Sequence, residues 1–600
     1  MKLLTRDRFG EKLGWLPFLL VATSLVWVWS GPERLANQEV HDEEVAEERS
    51  RAAQTDDPDL LVDFDDDVSN AELEANPWIE EAVSAYSATD KLYRIRFPNL
   101  VARDQAMARL KADPTVTSVD YDLSMALPPD ATTLADRPGA DCNATRIVAA
   151  QKGFPNDPCF RYQWHLDQVR ATGSWKLGQG QGAVVAVIDT GVTRVADLEQ
   201  TQFVAGYNFV NNNTRSEDDH GHGTHVAGTI AQATNNALGV AGVAFGARIM
   251  PLKVLSAQGS GSIGGIAQAI RYAADHGANV INMSLGGPLP ATTLRQAVEY
   301  AFKKGVTVIA AAGNDGRGRV SYPARYVNAI GVAATQFDES ATFYSNWGQQ
   351  IDIAAPGGNV RVDQNGDGMP DGILQNTIVP GNIRESGYLF FMGTSMASPH
   401  VAGVAALLAG AGVTRPEKVE QLLIQSAREP RGHKRSTDGA RIDDHFGAGI
   451  VNAEAALNAL HTKREGGALG LGATLALGLC VGRRRRMVLG LRGIGGLGAG
   501  LVAGIAGPLG IASTMGPHGL GNPLLLSPVL PVLAIGLFFG IRRTRPALAG
   551  LCAGLAGLLL SVAIAHTTDV RLVPDLLDRV WLVASAAIAI AMSHLTLRRE

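Results

Sequence analysis

The strongest constraint on the fold is a repeated alternation between short apolar runs and amphipathic segments within residues 160–460. Four apolar runs have the length and composition of buried strands, at 183–188, 249–254, 280–283 and 306–311. Segments with helical spacing lie at 225–233, 262–276, 291–304 and 395–408. Strands that are apolar along their whole length are typical of a parallel sheet covered on both faces by helices. We therefore predict an α/β fold whose sites form at the carboxyl ends of the strands.

The rest of the chain differs from this region, and the average composition conceals the difference. With 600 residues, 18% charged residues and a mean hydropathy of +0.05, the chain is too long for one ordinary domain and too apolar for a single soluble globule. A net charge of −5 lacks the basic signature of nucleic-acid-binding proteins. Four cysteines are too few for a disulfide-dense scaffold.

Residues 1–30 have the pattern of an export signal. A basic stretch that ends at Lys12 precedes an apolar run, and Trp27 and Trp29 lie at its outer end. The pattern fits an uncleaved anchor or a cleaved signal peptide, and either one exports the residues that follow. Residues 31–70 are rich in aspartate, which favours a disordered acidic linker over a metal-binding segment.

Residues 466–600 contain apolar, glycine-rich runs near the ~20 residues that cross a bilayer as a helix. These runs lie near 466–482, 493–513, 524–541, 547–566 and 580–597. Arginine clusters occupy alternate gaps, at 483–486, 542–545 and 598–599, as the positive-inside rule requires. The pattern predicts an all-α transmembrane bundle of about five helices, with residues 160–460 on the outer side of the membrane.

Three short segments supply the side chains of nucleophilic catalysis. VIDTGV at 187–192 contains Asp189, HGTHVAG at 222–228 begins with His222, and GTSMASPH at 393–400 contains Ser395. Each segment alone is more often structural, because Asp and Ser are common in turns and helix caps. Together they provide a nucleophile, a base that accepts its proton and a carboxylate that orients the base.

At these segments the chain resembles the subtilisin-like serine proteases, which share this Asp-His-Ser order. The resemblance covers residues 160–461 and implies a three-layer αβα fold with a mostly parallel sheet. It makes Asp189 the orienting carboxylate, His222 the general base and Ser395 the nucleophile. It also implies that Asn314, in AAAGNDG at 310–316, binds the oxyanion together with the backbone N–H of Ser395.

The resemblance also implies a substrate site. NMSLGG at 282–287 resembles the edge strand that pairs with the substrate backbone, and Ser321 matches the base of the first specificity pocket. Because Ser321 is small and uncharged, we expect a pocket for large apolar side chains. The expected pocket residues are Ser284, Leu285, Gly286, Gly313 and Ser321.

Two loops are candidates for structural Ca²⁺, which prefers oxygen ligands. NNALGV at 235–240 resembles the calcium loop of the family, which implies the side-chain ligands Gln163, Asp197 and Asn236.

The second loop, DQNGDGMPDG at 363–372, places oxygens at alternate positions. Leu374 occupies the position of the EF-hand glutamate, so this is either another kind of calcium loop or an Asp- and Gly-rich turn. Its candidate ligands are Asp363, Asn365, Asp367 and Asp371.

Residues 71–126 show a helical pattern at 102–111 between strand patterns at 92–97 and 116–121. Pattern and position resemble the small α+β, inhibitor-like propeptide of the family, which implies a zymogen with its own propeptide as a partner. Residues 127–159 form the expected linker, with cleavage somewhere in 125–158. Cys142 and Cys159 lie in the exported half and are candidates for a disulfide.

The expected protein is an exported, membrane-tethered serine endopeptidase that hydrolyses proteins or peptides through an acyl-enzyme on Ser395. We expect a monomer in a bacterial envelope, with the catalytic domain on the extracytoplasmic side. An alternative makes the C-terminal bundle the working part, as a transporter or signalling module with a protease-like sensor. The predicted spans lack the internal acidic and basic residues that transport sites usually contain, which disfavours this alternative.

Overall fold

The computed structural model describes residues 58–127 except 75–78, 80, 85 and 87–89, residues 142, 154–434 and 441–460, and residues 548, 552 and 585–591. The chain forms two compact units, one of residues 37–457 and the other of residues 1–36 with 458–600. The predicted export signal lies outside the described residues. So do the C-terminal apolar runs, apart from residues 548, 552 and 585–591. Across the described parts, no helix combines the length and apolar character needed to cross a membrane.

The strands of the first unit are β1 (Asp59–Phe64), β2 (Glu81–Ala82), β3 (Leu92–Arg96), β4 (Val116–Tyr121), β5 (Ser124–Ala126), β6 (Val184–Asp189), β7 (Gln202–Phe203), β8 (Tyr207–Asn208), β9 (Arg248–Lys253), β10 (Ser260–Ser262), β11 (Val280–Met283), β12 (Thr307–Ala311), β13 (Ala329–Thr335), β14 (Ile353–Pro356), β15 (Ile373–Val379) and β16 (Asn382–Phe391). Its helices are α1 (Asn70–Glu74), α2 (Leu100–Leu110), α3 (Trp164–Gln168), α4 (Ala171–Ser174), α5 (His222–Ala231), α6 (Ile263–Asp275), α7 (Thr292–Lys303), α8 (Thr394–Gly410) and α9 (Pro416–Ser426). Short 3₁₀ turns occupy Phe160–Tyr162 and Ala196–Leu198.

An eight-stranded sheet forms the centre of this unit, in the order β14-β13-β12-β11-β6-β9-β7, with β8 also paired to β9. Every described pair in it is parallel. From the centre, β11 to β14 extend to one side and β9 and β7 to the other. The predicted α/β fold with a parallel sheet is therefore confirmed. Strand order reverses between β6 and β11, which is where such sheets form their binding crevice.

Helices cover both faces of the sheet. Ala186 and Ile188 of β6 pack into one core with α6 and α7. Successive strand residues point to opposite faces, so Val187 and Asp189 face the other layer, where α8 lies along β6 and β11 to β14. The three-layer arrangement thus directs the last residue of β6 toward α5 and α8, which carry the predicted histidine and serine.

The predicted elements agree with the structure to within two residues at β6, β9, β11, β12 and α6 to α8. Helix α5 differs, because it begins at His222 and not at residue 225. Gly221 adopts a left-handed conformation (φ 103°) immediately before the helix. Because glycines flank His222, the sequence shows no helical pattern in this first turn. His222 consequently lies in that first turn, where its position is fixed by the helix.

Residues 58–127 form a smaller antiparallel sheet in the order β2-β3-β1-β4. Its central strand β1 comes from the segment predicted to be a disordered linker. Leu60, Leu61 and Val62 are fully buried, so these apolar residues supply enough burial to order the strand despite the surrounding aspartates. The small α+β domain therefore includes residues 59–64, which lie before the boundary predicted at residue 71.

This α+β domain lies on α6 and α7. Asp120 Oδ2 accepts the backbone N–H and the hydroxyl of Thr293 at 2.6 and 2.7 Å, at the first residues of α7. The Leu123 carbonyl accepts the N–H of Ile263 at the start of α6 (2.9 Å). These contacts satisfy N–H groups that a helix cannot pair internally. They anchor the strand that continues into β5.

Cys142 and Cys159 form a disulfide, with 5.4 Å between their Cα atoms. Part of the predicted linker is thus covalently attached to the start of the α/β domain. The Cys159 N–H donates to the Gly239 carbonyl at 2.8 Å, which connects the bridge to the predicted calcium loop. Cys552 is buried and carries a free thiol, whereas Cys480 lies outside the described residues.

Candidate active site

The carboxylate of Asp189 and the imidazole of His222 form a hydrogen-bonded pair in the interior of the α/β domain. Asp189 Oδ1 lies 2.8 Å from His222 Nδ1, and both side chains are fully buried. The same oxygen accepts the backbone N–H of Thr190 at 2.7 Å, which holds the carboxylate in place. A carboxylate can only accept here, so Nδ1 carries a proton, and in the neutral imidazole Nε2 then has a free lone pair.

His222 Nε2 is buried and has no hydrogen-bond partner within the described residues. Ser395 lies in the first turn of α8, which packs against α5. In this structure the Ser395 hydroxyl donates to the Ser284 carbonyl at 3.1 Å. The structure thus contains a base with an open acceptor and a serine on the adjoining helix, with the hydroxyl turned toward Ser284, just after the carboxyl end of β11.

Asn314 follows β12 and presents an amide whose oxygen is paired and whose Nδ2 is not. Its Oδ1 accepts from the backbone N–H of Thr394 (2.9 Å) and from the Thr394 hydroxyl (2.7 Å). These bonds fix the orientation of the side chain next to Ser395, while Nδ2 is buried and finds no partner in the described part of the chain. Buried donors are nearly always paired. A free donor beside the serine is therefore suited to an oxyanion that forms during reaction.

A chain of polar side chains connects the serine to the centre of the sheet. Ser398 Oγ donates to Asn282 Oδ1 (2.7 Å), Asn282 Nδ2 donates to Ser284 Oγ (3.0 Å), and Ser284 Oγ donates to the Ser395 carbonyl (2.8 Å). Ser398, Asn282 and Ser284 take part through their side chains, and Ser395 takes part through its backbone carbonyl. A connected set of hydrogen bonds of this kind favours one arrangement of α8 on β11. Sequence reasoning assigned no individual role to Asn282 or Ser398, although both lie within the quoted segments NMSLGG and GTSMASPH.

The predicted pocket residues lie together in the structure. A Cβ on Gly286 would lie 3.2 Å from the Ser321 Cβ, and a Cβ on Gly313 would lie 2.5 Å from Ser321 Oγ. Tyr322 and Gly287 exchange backbone hydrogen bonds at 2.9 and 3.0 Å, which joins two of these segments. Asn346, which the sequence did not indicate, donates to the Ala312 carbonyl at 3.2 Å and lies against Gly313.

Strand β5 lies along the backbone segments that border the predicted pocket. It pairs antiparallel with β10. Ala126 and Gly286 exchange backbone hydrogen bonds at 3.3 and 3.1 Å, and the N–H of Leu127 donates to the Gly259 carbonyl at 2.9 Å. An extended peptide held by backbone bonds between two edges is the geometry of β-augmentation.

Around the predicted calcium loop the structure places two carboxylates and one amide. Asp197 Oδ1 accepts from Asn236 Nδ2 at 2.8 Å, and its Oδ2 accepts the Val240 N–H at 3.0 Å. Asp157, which the sequence analysis missed, accepts the N–H groups of Asn235 and Asn236 at 2.8 and 3.1 Å.

Gln163 has other partners. Its Oε1 accepts the Ala241 N–H at 2.7 Å, and its Nε2 donates to the carbonyls of Ala241 and Leu374 at 2.9 and 3.3 Å. Both ends of the Gln163 side chain therefore form hydrogen bonds with backbone groups. The carboxylates of Asp157 and Asp197, in contrast, both bind backbone N–H groups of the loop 235–240.

In the loop 363–372 most side-chain oxygens bind the loop's own backbone. Asp363 accepts the N–H groups of Gly366, Asp367 and Gly368 at 2.8 to 3.2 Å. Asp371 is buried, and its Oδ1 has no partner among the described residues. Burial, followed by the charges of Asp363 and Asp367, raises the pKa of Asp371. As the side chains stand, no three His, Cys, Asp or Glu residues of the described ranges converge on a metal position.

His225, one turn after His222, has a structural environment. Its Nε2 donates to the carbonyls of Ile373 and Leu389 at 3.0 and 3.2 Å, and its ring stacks on Phe391. Burial lowers the pKa of His225 to about 3. The ring is therefore neutral at physiological pH and joins α5 to the β15–β16 hairpin.

Comparison with known proteins agrees with this geometry. The Subtilase family profile matches residues 180–449. Subtilisin Savinase of Lederbergia lenta is 41% identical over 294 residues, which are 49% of this chain and 97% of that protein. M-protease of Shouchella clausii is 42% identical over 295 residues, which are 49% of this chain and 69% of that protein.

A solved structure extends the likeness to the fold. Fervidolysin of Fervidobacterium pennivorans, a keratinolytic enzyme related to subtilisin, is 25% identical, with a TM-score of 0.52. The match covers 67% of this chain and 61% of that one. From these matches, the chain belongs to the subtilase family and is a subtilisin-like serine endopeptidase.

Proposed function

We propose that Ser395, His222 and Asp189 hydrolyse peptide bonds through an acyl-enzyme. Ser395 Oγ exchanges its acceptor on Ser284 for His222 Nε2 and attacks the substrate carbonyl as its proton passes to the imidazole. Asp189 stabilises the imidazolium that results. His222 then donates this proton to the leaving amine, and water, deprotonated by the same ring, releases the acyl group.

Asn314 Nδ2 and the Ser395 N–H are the proposed donors to the oxyanion of the tetrahedral intermediate. The N–H of Ser395 lies in the first turn of α8, where backbone donors have no intrahelical partner. Thr394 already holds the Asn314 amide in place, so the donor needs little reorganisation as charge develops.

The observation that carries the proposal is the 2.8 Å bond from Asp189 to His222 combined with an imidazole Nε2 that has no partner in the described chain. A fluorophosphonate probe tests it, because such probes react with serines that an adjacent base activates. We expect one adduct on the mature enzyme, mapped by peptide mass spectrometry to Ser395, and slow labelling of His222→Ala. An adduct on another serine, or rapid labelling of His222→Ala, contradicts the proposal.

The proposed substrate side chain at the scissile position is large and apolar. It would enter between Ser284, Leu285 and Gly286 on one side and Gly313 on the other, with Ser321 at the base. These three segments approach one another through Gly286, Gly313 and Ser321, and Leu285 is fully buried.

We propose further that the chain is a zymogen and that residues 58–127 are its inhibitory propeptide. The support is the pairing of β5 and Leu127 with Gly259 and Gly286, which uses the backbone groups that an extended substrate would use. Ser395 is fully buried in this state. Cleavage between residues 127 and 142 would leave residue 142 attached to the enzyme through the disulfide.

The membrane tether is also a proposal, and its support is the sequence. The apolar runs of 466–600 and the alternate arginine clusters fit several spans with the catalytic domain outside the membrane. The mature enzyme would then remain at the membrane after loss of the N-terminal segment.

Calcium is proposed at the loop 235–240, and the residues present there fit the ion. Asp157 and Asp197 are both fully buried, and no basic side chain forms an ion pair with either in the described ranges. Burial raises the pKa of Asp157 to about 6 and that of Asp197 to about 8. Two buried carboxylates and the Asn236 amide are oxygen donors suited to Ca²⁺. The loop 363–372 is proposed as a second site on the buried, unpartnered Asp371 Oδ1.

Removal of calcium should lower the melting temperature by roughly 3–5 °C, since ligand at 100 times Kd adds about 2.7 kcal/mol to stability. The loss should be larger at pH 8 than at pH 6. The pKa values of Asp157 and Asp197 are higher in the folded protein than in the unfolded chain, so the calcium-free protein loses stability as pH rises from about 4 to 8. Bound calcium offsets the loss because it stabilises both ionised carboxylates. Calorimetry with calcium and with EDTA measures the difference.

Two variants locate the site. Asp157→Asn should reduce the calcium-dependent increment in melting temperature to the contribution of the loop 363–372, whereas Gln163→Leu should lower stability and retain the whole increment. The reverse pattern would place the ligand at Gln163 as the sequence resemblance implies. An equal melting temperature with calcium and EDTA at both pH values contradicts the calcium proposal.

A further inference from the structure

Asp218 is a buried carboxylate just before the predicted catalytic histidine, and the proposed chemistry gives it no part. Only 4% of it is exposed. Its Oδ1 accepts from Thr190 Oγ1 at 2.8 Å, from His220 N at 2.9 Å and from Gly221 N at 3.0 Å. Its Oδ2 accepts from Thr224 N at 2.9 Å and from Thr224 Oγ1 at 2.6 Å. The buried carboxylate thus accepts hydrogen bonds from five donors. Loss of the carboxylate would leave several of these donors without a partner.

These bonds connect the two segments that carry Asp189 and His222. Thr190 follows Asp189 directly, and its hydroxyl accepts the Gly223 N–H at 2.9 Å while donating to Asp218. A continuous path therefore leads from the residue after Asp189, through Asp218, to the residues on both sides of His222. Thr193 adds a second connection, because its N–H donates to Thr224 Oγ1 at 3.0 Å.

Asp218 also completes the start of α5. The N-cap residue of this helix is Gly221, which has no side chain to accept the N–H groups of the first turn. Asp218 Oδ2 takes the Thr224 N–H and thereby substitutes for the missing cap. The orientation of the first turn, and with it of the His222 ring, depends on this acceptor.

The neighbouring carboxylate differs in exposure and in its hydrogen-bond partners, and its one connection to the Asp189 segment is indirect, through Lys253, which also donates to the Thr190 carbonyl at 2.7 Å. Asp219 is partly exposed, and its Oδ1 pairs with Lys253 Nζ at 2.7 Å. Within the described residues, none of the groups that donate to the Asp218 carboxylate donates to the Asp219 carboxylate. Two consecutive aspartates thus provide a test residue and a matched control of the same chemistry.

We infer that Asp218 is a positioning residue that holds the Asp189 segment and the His222 helix at their catalytic separation. This inference rests on the proposed roles of Asp189 and His222. Misplacement of a catalytic group by about 1 Å costs up to 10²-fold in rate. The carboxylate therefore acts on turnover through the geometry of the pair and makes no contact with substrate.

Asp218→Asn tests the inference, since an amide keeps the size but replaces one acceptor with a donor that opposes N–H groups. We expect kcat to fall 10- to 100-fold with KM within twofold of the wild-type value, measured on a peptide p-nitroanilide. Asp219→Asn should keep kcat within twofold. Thr190→Val, which removes both hydrogen bonds of the Thr190 hydroxyl and retains the carboxylate, should lower kcat several-fold and remains informative if Asp218→Asn does not fold.

The double variant separates positioning from general destabilisation. If Asp218 and Thr190 act through one path, Asp218→Asn combined with Thr190→Val loses little more kcat than Asp218→Asn alone. Multiplicative losses, equal losses in Asp218→Asn and Asp219→Asn, or an Asp218→Asn kcat within twofold of wild type overturn the inference. Fluorophosphonate labelling of wild-type Ser395 distinguishes failure of this inference from failure of the proposed catalytic site.

Discussion

Ser395→Ala should lower kcat for peptide hydrolysis about 10⁶-fold. The methyl group cannot attack a carbonyl, so the remaining catalysis comes from substrate binding and the oxyanion donors alone. Removal of the serine from subtilisin costs about 2 × 10⁶ in kcat, and the same groups surround Ser395 here, with Asn314 Nδ2 unpaired beside it in the described structure. Initial rates on a peptide p-nitroanilide, corrected for contaminating peptidases, measure the loss.

The same variant tests the zymogen. If the chain cleaves itself, Ser395→Ala should accumulate with residues 58–127 still attached, and addition of active enzyme should restore cleavage. Ser340→Ala, a serine that bonds Asp338 in a loop, is the matched control and should process normally. Normal processing of Ser395→Ala in a host without other exported proteases contradicts self-processing, and peptide hydrolysis at the wild-type rate contradicts the nucleophile.

Asp189→Asn should lower kcat roughly 10⁴-fold, which corresponds to about 5 kcal/mol of transition-state stabilisation. If the amide oxygen remains at the Oδ1 position, it still accepts from Thr190 N and His222 Nδ1, but no charge stabilises the imidazolium. If the amide is reversed, its N–H₂ opposes the Thr190 N–H. The imidazole then protonates at Nε2 and cannot accept from Ser395. Both orientations therefore impair the base.

Initial rates and fluorophosphonate labelling of Asp189→Asn should fall together, because both depend on proton transfer from Ser395 to His222. KM should change little, since Asp189 is fully buried and does not line the substrate edge. Circular dichroism establishes that the variant is folded. A kcat within tenfold of wild type in a folded variant would show that Asp189 does not support the base.

The α/β fold was predictable from sequence because its strands are buried on both faces. Continuous apolar runs gave β6, β9, β11 and β12 within two residues. Strand β1 was not predictable in the same way. Its four apolar residues are surrounded by aspartates, and the average acidity suggested a linker. Arg96 pairs with Asp59 at 2.8 Å in the structure, so cross-strand ion pairing offsets the charge that misled the prediction.

The site was predictable to the extent that its residues lie in recognisable motifs. Asp189, His222, Ser395 and Asn314 each lie in a short segment of characteristic sequence. Asp157 and Asp218 escaped notice because an isolated aspartate near a turn has many structural uses. Their significance depends on the donors around them, which come from residues distant in sequence, as when Asp157 binds the N–H of Asn235.

Ser395 should form an acyl-enzyme with the substrate during each catalytic cycle. Acid quenching of the mature enzyme during turnover of a slowly deacylating peptide ester, followed by peptide mass spectrometry, tests it most directly. We expect an acyl adduct on Ser395 that forms in a burst before steady state and is absent in His222→Ala at the same time point. Turnover with no adduct, or with the adduct on any residue other than Ser395, would contradict it.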